Sequence, residues 1–348
     1  MKSDSPRILV TGGAGFIGSN YARTILREHA SYELVILDKF TYSGSKLTLA
    51  DIADDPRVTI VEGDICDVST VNRALEGCDA VVNFAAETHV DRSLIDPASF
   101  IHTNVHGTWV LLEAVRQNYQ VRFVQVSTDE VYGAVMSGQS VETDLIHPRN
   151  PYSASKAGAE MMGMAYAESH GVDVVITRGS NTYGPYQYPE KFIPLMITNV
   201  IEGKTIPVYG DGLQVRHWIH ADDHARAIHT ALLHGKSGEI YNAGSDDERT
   251  NISVARAVVD LLGASDDVIE HVTDRPGHDR RYALSSDKLR SLGWEPSWTF
   301  DEGIEQTVDW YRENSDWWRA VRDASFEEYY QSNYGGRTAM SPSDTDQE

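Results

Sequence analysis

The segment that most limits what this chain can fold into lies near its N-terminus. Arg7-Ile8-Leu9-Val10 is a short apolar run of the kind that forms a buried parallel strand. It passes directly into Thr11-Gly12-Gly13-Ala14-Gly15-Phe16-Ile17-Gly18 and then into a helical pattern from Ser19 to His29. Glycines 13, 15 and 18 fit G-x-G-x-x-G, and glycines 12, 15 and 18 fit the related G-x-x-G-x-x-G spacing. In such a turn the first glycines allow a tight reversal, the middle one admits a pyrophosphate, and the last lets helix and strand pack closely. The diphosphate then rests on the positive end of the helix dipole. A second strand, Glu33 to Leu37, ends in Asp38. A carboxylate at that position accepts hydrogen bonds from an adenosine ribose and repels a 2′-phosphate, so NAD is favoured over NADP despite the neighbouring Lys39.

The alternation of strands and helices continues. Val58 to Ile65 reads as a strand ending in an acid, Asp64, placed to reach adenine. Ala80 to Ala86 reads as another, with small residues where a cofactor passes; Thr103 to Gln117 reads as a helix and Val121 to Ser127 as the next strand. The expected fold is α/β: a Rossmann-type doubly wound parallel sheet with a smaller C-terminal α/β substrate domain. Residues 1–177, with return segments near 218–245, form the first domain on this reading. Residues 178–217 and 246–330 form the second, and 332–348 read as a disordered tail.

The chemistry is concentrated in Ser127-Thr128-Asp129-Glu130-Val131-Tyr132-Gly133, followed by Tyr152-Ser153-Ala154-Ser155-Lys156. Tyr152 and Lys156 are four residues apart and share one helix face. The Lys156 ammonium is expected to lower the Tyr152 pKa toward working pH, so that the phenol takes a proton from an alcohol while hydride leaves the same carbon. Asp129 and Glu130 fall at the C-terminal end of a parallel strand, where open α/β sheets bind ligands. Two adjacent carboxyls there indicate a second proton transfer after the oxidation, which points to a redox-assisted elimination.

Composition narrows the classes further. The chain has 348 residues with 52 acidic and 30 basic side chains, a net charge of −22, and only 8 Lys. Nucleic acid and anionic membranes are poor partners for such a surface. Scarce Lys among dense carboxylates leans toward adaptation to high salt, where repulsion is screened. No apolar run is long enough to span a bilayer, and Met1 to Arg7 does not resemble a secretory leader, so a cytoplasmic protein is expected. Cys66 and Cys78 give neither a disulfide framework nor a zinc set, and no metal site is expected.

The glycine motif, the Tyr-x-x-x-Lys pair and the Thr-Asp-Glu triplet resemble the extended short-chain dehydrogenases/reductases, and within them the dTDP-glucose 4,6-dehydratases. The resemblance runs from about Arg7 to Arg319 and includes the stretches Phe84 to Ser93, Asn181 to Gln187, Pro189 to Pro194, Arg216 to His224 and Arg275 to Tyr282. It implies an internal redox cycle on dTDP-glucose with a retained NAD. Tyr152 takes the C4 hydroxyl proton, Thr128 hydrogen-bonds there and Lys156 holds the cofactor ribose; Glu130 removes the C5 proton and Asp129 protonates the departing C6 hydroxyl. The resemblance further implies cofactor contacts from Gly12, Gly15, Phe16, Ile17, Gly18, Asp38, Lys39, Phe40, Thr41, Asp64, Ile65, Phe84, Ala85, Ala86, Glu87, Thr103 and Thr182. It implies a sugar-nucleotide pocket from Thr88, Thr128, Asn181, Lys191, Phe192, Pro207, Val208, Tyr209, Arg216, Asn251, Asp274, Arg275 and His278. Lys191, Arg216 and Arg275 suit a diphosphate, and Tyr209 suits packing on a base. Helices near 103–117 and 152–170 pair into a homodimer in the family, against the alternative that these faces are monomer core.

Two departures from the family pattern stand out. Asn181-Thr182 replaces a usual Asn-Asn, which alters a hydrogen bond on the nicotinamide side, and Gly179 replaces a common Cys. Thr88 stands for a usual Ser and keeps the hydroxyl. Two alternatives remain open at this point: a sister dehydratase, epimerase or decarboxylase acting on a UDP- or GDP-sugar, and a non-catalytic NAD-binding regulatory protein on the same fold. Epimerases need no elimination and resemble this stretch without the acidic pair, so Asp129 discriminates.

Overall fold

The computed structural model describes residues 5–118, 120–274, 278–322, 326 and 330. Arg275 and the expected tail at 332–348 lie outside the described residues. In chain order the strands are β1 (Arg7–Thr11), β2 (Glu33–Asp38), β3 (Val58–Glu62), β4 (Ala80–Asn83), β5 (Arg122–Thr128), β6 (Val174–Gly179), β7 (Asn181–Tyr183), β8 (Ile206–Tyr209), β9 (Val215–His220), β10 (Glu239–Ala243), β11 (Glu248–Thr250) and β12 (Ile269–Val272).

Seven of these make the central sheet, in the order β10-β6-β5-β4-β1-β2-β3. Every pairing in it is parallel. Parallel neighbours need crossovers, which the helices supply, and both faces of the sheet are therefore covered. Ile8 and Val10 pack on one face with Tyr21, Ile25, Ile228 and Leu232. Leu9 packs on the other with Leu111, Leu112, Phe123 and Tyr166. That two-sided burial is why β1 reads as an unbroken apolar run. The strand order reverses between β1 and β4, and the crevice beyond their C-terminal ends is the ligand position of an open α/β sheet.

A second, smaller layer holds the three-stranded sheet β11-β9-β7 and the pair β12-β8. Its own core joins Ile193, Ile197, Trp218, Val254, Val258, Ile304, Tyr311 and Trp318. Trp218 to His220 end β9 in this smaller sheet; the chain rejoins the large sheet only with the helix Ala221–His234 and β10.

The segment expected as one helix from Thr103 to Gln117 differs in detail. Residues Ile101–Gly107 are π-helical and pass into an α-helix at Thr108–Arg116. The Thr108 hydroxyl donates to the Asn104 carbonyl at 2.7 Å, so a side chain occupies part of the backbone ladder. Asn104 itself is committed to tertiary bonds, accepting from the Glu87 amide at 2.8 Å and donating to Ser155 Oγ at 2.8 Å.

Among the described residues no helix is long and apolar enough to cross a membrane.

Candidate functional site

The first part of the site is the turn after β1. Gly12 has φ +66°, and a Cβ there would lie 2.6–2.8 Å from the backbone of Phe84 and Ala85. A Cβ on Gly18 would lie 2.5 Å from the Gly12 carbonyl oxygen. Only hydrogen fits at both places, so the turn, the segment after β4 and the helix Phe16–Glu28 close on one another. Asp38, at the end of β2, is buried. Its two oxygens accept backbone N–H bonds from Ala14 at 2.9 Å and Phe40 at 2.8 Å. Burial raises its pKa and those amides oppose the rise. Phe40 is held by that bond in the left-handed region, φ 53°. Lys39 reaches across to Asp64 at 2.7 Å.

The second part is the end of β5. The Thr128 side chain accepts from the Glu130 amide at 3.3 Å and starts the tight turn Asp129–Tyr132. That turn points Asp129 inward and leaves Glu130 half-exposed. Asp129 Oδ1 accepts from the Thr128 hydroxyl at 3.2 Å, while Oδ2 is buried with no hydrogen-bond partner among the described residues. Burial first, and then the Glu130 charge, push Asp129 up to about 7, with Arg216 opposing. Asn150, which caps the helix Pro151–His170, donates to Glu130 Oε2 at 3.4 Å. The same helix is locked to β6 by a buried ion pair, Arg178 to Glu160 at 2.7 Å. Removing one partner of such a pair strands a buried charge, so it fixes the helix against the sheet.

That helix places Tyr152 and Lys156 in the same cavity, but the expected effect of Lys156 on Tyr152 needs correction. Lys156 Nζ donates to the Val126 carbonyl at 2.6 Å, and burial lowers its pKa to about 8. Tyr152 is raised, by burial first and then by Glu130, with Thr128 opposing. The i, i+4 spacing delivered a shared helix face; the ammonium turned to a backbone acceptor on β5 instead.

Every residue expected on the cofactor except Phe40 lines one cavity of ≈ 310 Å³. Thr128, Asp129, Glu130, Tyr152 and Lys156 line it too, as do Thr88, Asn181 and Lys191. Its lining does not include Phe192, Pro207, Val208, Tyr209, Arg216, Asn251, Asp274 or His278. Those residues sit in or against the smaller layer. Phe192 stacks on Trp218, Tyr209 meets the His278 ring edge-on, and His278 Nδ1 lies 2.7 Å from Asp274. Arg216 is buried over the Tyr282 ring and donates to the Asp279 carbonyl at 2.9 Å.

The sequence reading missed His224. Its buried ring lies where a Cβ on Gly179 would come within 2.5 Å, and its Nδ1 meets the Thr182 hydroxyl at 2.8 Å. Burial lowers it to about 4. The signal was present: the two departures at 179 and 182 both face this ring. Glu190 was missed as well. Its fully buried side chain pairs with Arg92 at 3.1 Å beside Lys191.

The turn without Cβ atoms, the buried acid at the end of β2 and the long cavity over the strand ends fit a dinucleotide such as NAD. Comparison with known proteins agrees. The family model described as GDP-mannose 4,6 dehydratase matches residues 9–307. A dTDP-glucose 4,6-dehydratase of Streptomyces niveus is 49% identical over 321 residues, covering 91% of this chain and 96% of that one. The low-salt glycan biosynthesis protein Agl12 of Haloferax volcanii is 47% identical over 304 residues, 87% of this chain and 98% of its own. Among solved structures, DesIV, a dTDP-glucose 4,6-dehydratase from Streptomyces venezuelae with NAD bound, superposes with a TM-score of 0.88 at 47% identity over 91% of this chain and all of that one. A UDP-glucose 4-epimerase of Thermus thermophilus in complex with NAD gives 0.82 at 32% identity over 88% of this chain and 99% of its own. The chain belongs to the dTDP-glucose 4,6-dehydratase family of NAD-binding extended short-chain dehydrogenases/reductases.

Proposed function

We propose that this protein converts dTDP-glucose to dTDP-4-keto-6-deoxyglucose with loss of water. The observation that carries this reading is the buried Asp129, raised to about 7 beside Glu130 at the end of β5. A dehydration needs one carboxyl that holds a proton and one that takes a proton at the same pH, and neighbouring acids in unequal environments supply both. An epimerase needs neither.

In this reading a bound NAD would supply the hydride acceptor for C4 and the hydride donor for C6, and its positive charge would favour the Tyr152 phenolate. Tyr152 accepts the C4 hydroxyl proton and Thr128 orients that hydroxyl. The resulting ketone makes C5–H acidic; Glu130 removes that proton and Asp129 delivers its own to the C6 hydroxyl, which leaves as water. Glu130 then returns its proton to C5. Lys156 and Asp38 hold the two riboses, and Lys191 on the cavity wall meets the diphosphate, with Arg216 of the smaller layer as its expected second cation. Thr88 and Asn181 complete the sugar side.

The remaining parts of the reading follow from the same framework. The dinucleotide half comprises residues 1–177 with a return segment that starts at Ala221 rather than 218 and runs to 245, and the substrate half takes 178–220 with 246–330. Trp109 and Met161 are exposed apolar side chains on the helices near 103–117 and 152–170 that a homodimer would pair. The net charge of −22 fits a cytoplasm of high salt. A Tm that did not change between low and molar salt would contradict that last point.

The test is an NMR time course of purified protein with dTDP-glucose, in molar salt and without added NAD. Appearance of a 4-keto-6-deoxy product supports both the hydride cycle and a retained cofactor. An untouched dTDP-glucose beside turnover of UDP- or GDP-sugars would remove the substrate assignment. No turnover with NAD bound would remove the enzymatic reading.

A further inference from the structure

Outside the cavity, three metal-ligating side chains converge on one surface. Cys66 lies in the loop after β3, and His102 and His106 lie one turn apart on the π-helical segment. The Cys66 sulfur and one ring nitrogen of each histidine all lie within 4.8 Å of one another. The two imidazoles are parallel within 11°, with centroids 5.1 Å apart. Among the described residues neither ring nitrogen pair is taken up by a hydrogen bond.

The convergence is built rather than casual. Gly107 has no side chain where a Cβ would meet Ile65 at 2.5 Å and the Cys66 sulfur at 3.3 Å, so the loop rests directly on the helix. The Cys66 amide donates to Asp64 Oδ1 at 2.9 Å, and its thiol donates to the His102 carbonyl at 3.5 Å. Within the single chain Cys66 is half-buried and both histidines are exposed, with His106 against the Trp109 ring at the edge of the helix face a homodimer would pair, so the rings have room to adjust.

We propose that Cys66, His102 and His106 form a binding site for a divalent cation of the zinc class, with water in the fourth position. One thiolate and two imidazoles are the borderline-soft donor set that suits zinc, and three protein ligands leave a tetrahedral ion one open position. Tetrahedral bonds of zinc length put ligand atoms about 3.5 Å apart, so the rings close by roughly 1 Å. Coordination releases the thiol proton to solvent, and affinity therefore rises with pH. The strongly acidic surface raises the local concentration of divalent cations. The ion ties the loop carrying Asp64 and Ile65 to the helix carrying Thr103, and all three line the cavity from inside.

Cobalt titration of the EDTA-treated full chain tests this, because a thiolate-to-cobalt charge-transfer band separates this site from carboxylate binding anywhere else. The expected result is one equivalent of cobalt with that band, displaced by zinc. Cys66→Ser abolishes the band, and His102→Gln and His106→Gln each weaken binding by about tenfold or more. In the unsubstituted protein, zinc also slows alkylation of Cys66 and raises the Tm, a readout that needs no variant to fold. Cobalt binding without a thiolate band, a band that survives both histidine changes at full affinity, or alkylation of Cys66 indifferent to zinc would overturn the site.

Discussion

Two buried aspartates occupy equivalent places in this molecule and serve opposite ends. Asp38 closes β2 and Asp129 follows β5, both at the C-terminal edge of the parallel sheet. Burial raises both pKa values. At Asp38 the backbone supplies donors from Ala14 and Phe40, which compensate the charge. At Asp129 one oxygen accepts from the Thr128 hydroxyl, the other has no partner among the described residues, the backbone opposes the rise only through Asp129's own amide, and Glu130 adds a like charge. Backbone donors oppose the rise at Asp38; with little such opposition and a like charge beside it, Asp129 holds and gives up a proton near neutral pH.

The comparison is broken most strongly by Asp129→Asn. Dehydration of dTDP-glucose falls by about 10²–10⁴, while oxidation at C4 still proceeds once per bound NAD, so with stoichiometric enzyme up to one equivalent of a 4-keto sugar that retains its C6 hydroxyl appears in the NMR spectrum beside the reduced cofactor. Equal loss of both steps would mean Asp129 is only structural. The same substitution removes a pH dependence of stability. Because the folded value of about 7 exceeds the usual 3.8, the folded chain binds more protons than the unfolded chain between those limits. The stability contributed by protonated Asp129 is full below about pH 4 and is lost as pH rises through 7, on the order of 4 kcal/mol. Denaturant melts of wild type and variant should therefore diverge across that window and run parallel above it.

Asp38→Ala makes the complementary test. It strands the Ala14 and Phe40 amides, each costing about 1–3 kcal/mol when buried and unpaired. The Tm should drop and NAD should be lost on gel filtration, without any change in the pH slope that Asp129 produces. Retention of NAD at an unchanged Tm would show that the anion at the end of β2 is not an anchor.

The smallest effect belongs to the departures from the family pattern. Thr182→Val removes the 2.8 Å contact with His224, worth about 1 kcal/mol. A modest rise in NAD release with turnover otherwise kept is expected; unchanged release would mean that His224 is held by packing alone.

The dinucleotide turn was legible because its determinants are local. Gly12 is required by its own positive φ and Gly18 by the Gly12 carbonyl, although the approach of Phe84 and Ala85 to Gly12 is tertiary, and the apolar run of β1 reports burial on both faces. The helix bearing Tyr152 and Lys156 was legible for the same reason, through its i, i+4 spacing. The partner of Lys156 was not, since the Val126 carbonyl is thirty residues away on another element. The signal for His224 lay far from it along the chain, in the departures at Gly179 and Thr182 that make room for and meet its ring.

The sequence by itself determined the alternation of strands and helices, the nucleotide turn, the acid at the end of β2 and the presence of two adjacent carboxyls at a strand end. Tertiary structure alone decided which of those carboxyls is buried, where the Lys156 ammonium points, and that β9 belongs to the smaller sheet. The division has one physical cause. Turn geometry and side-chain periodicity are set by neighbours along the chain, whereas burial, and with it protonation, is set by groups that only the completed fold brings together.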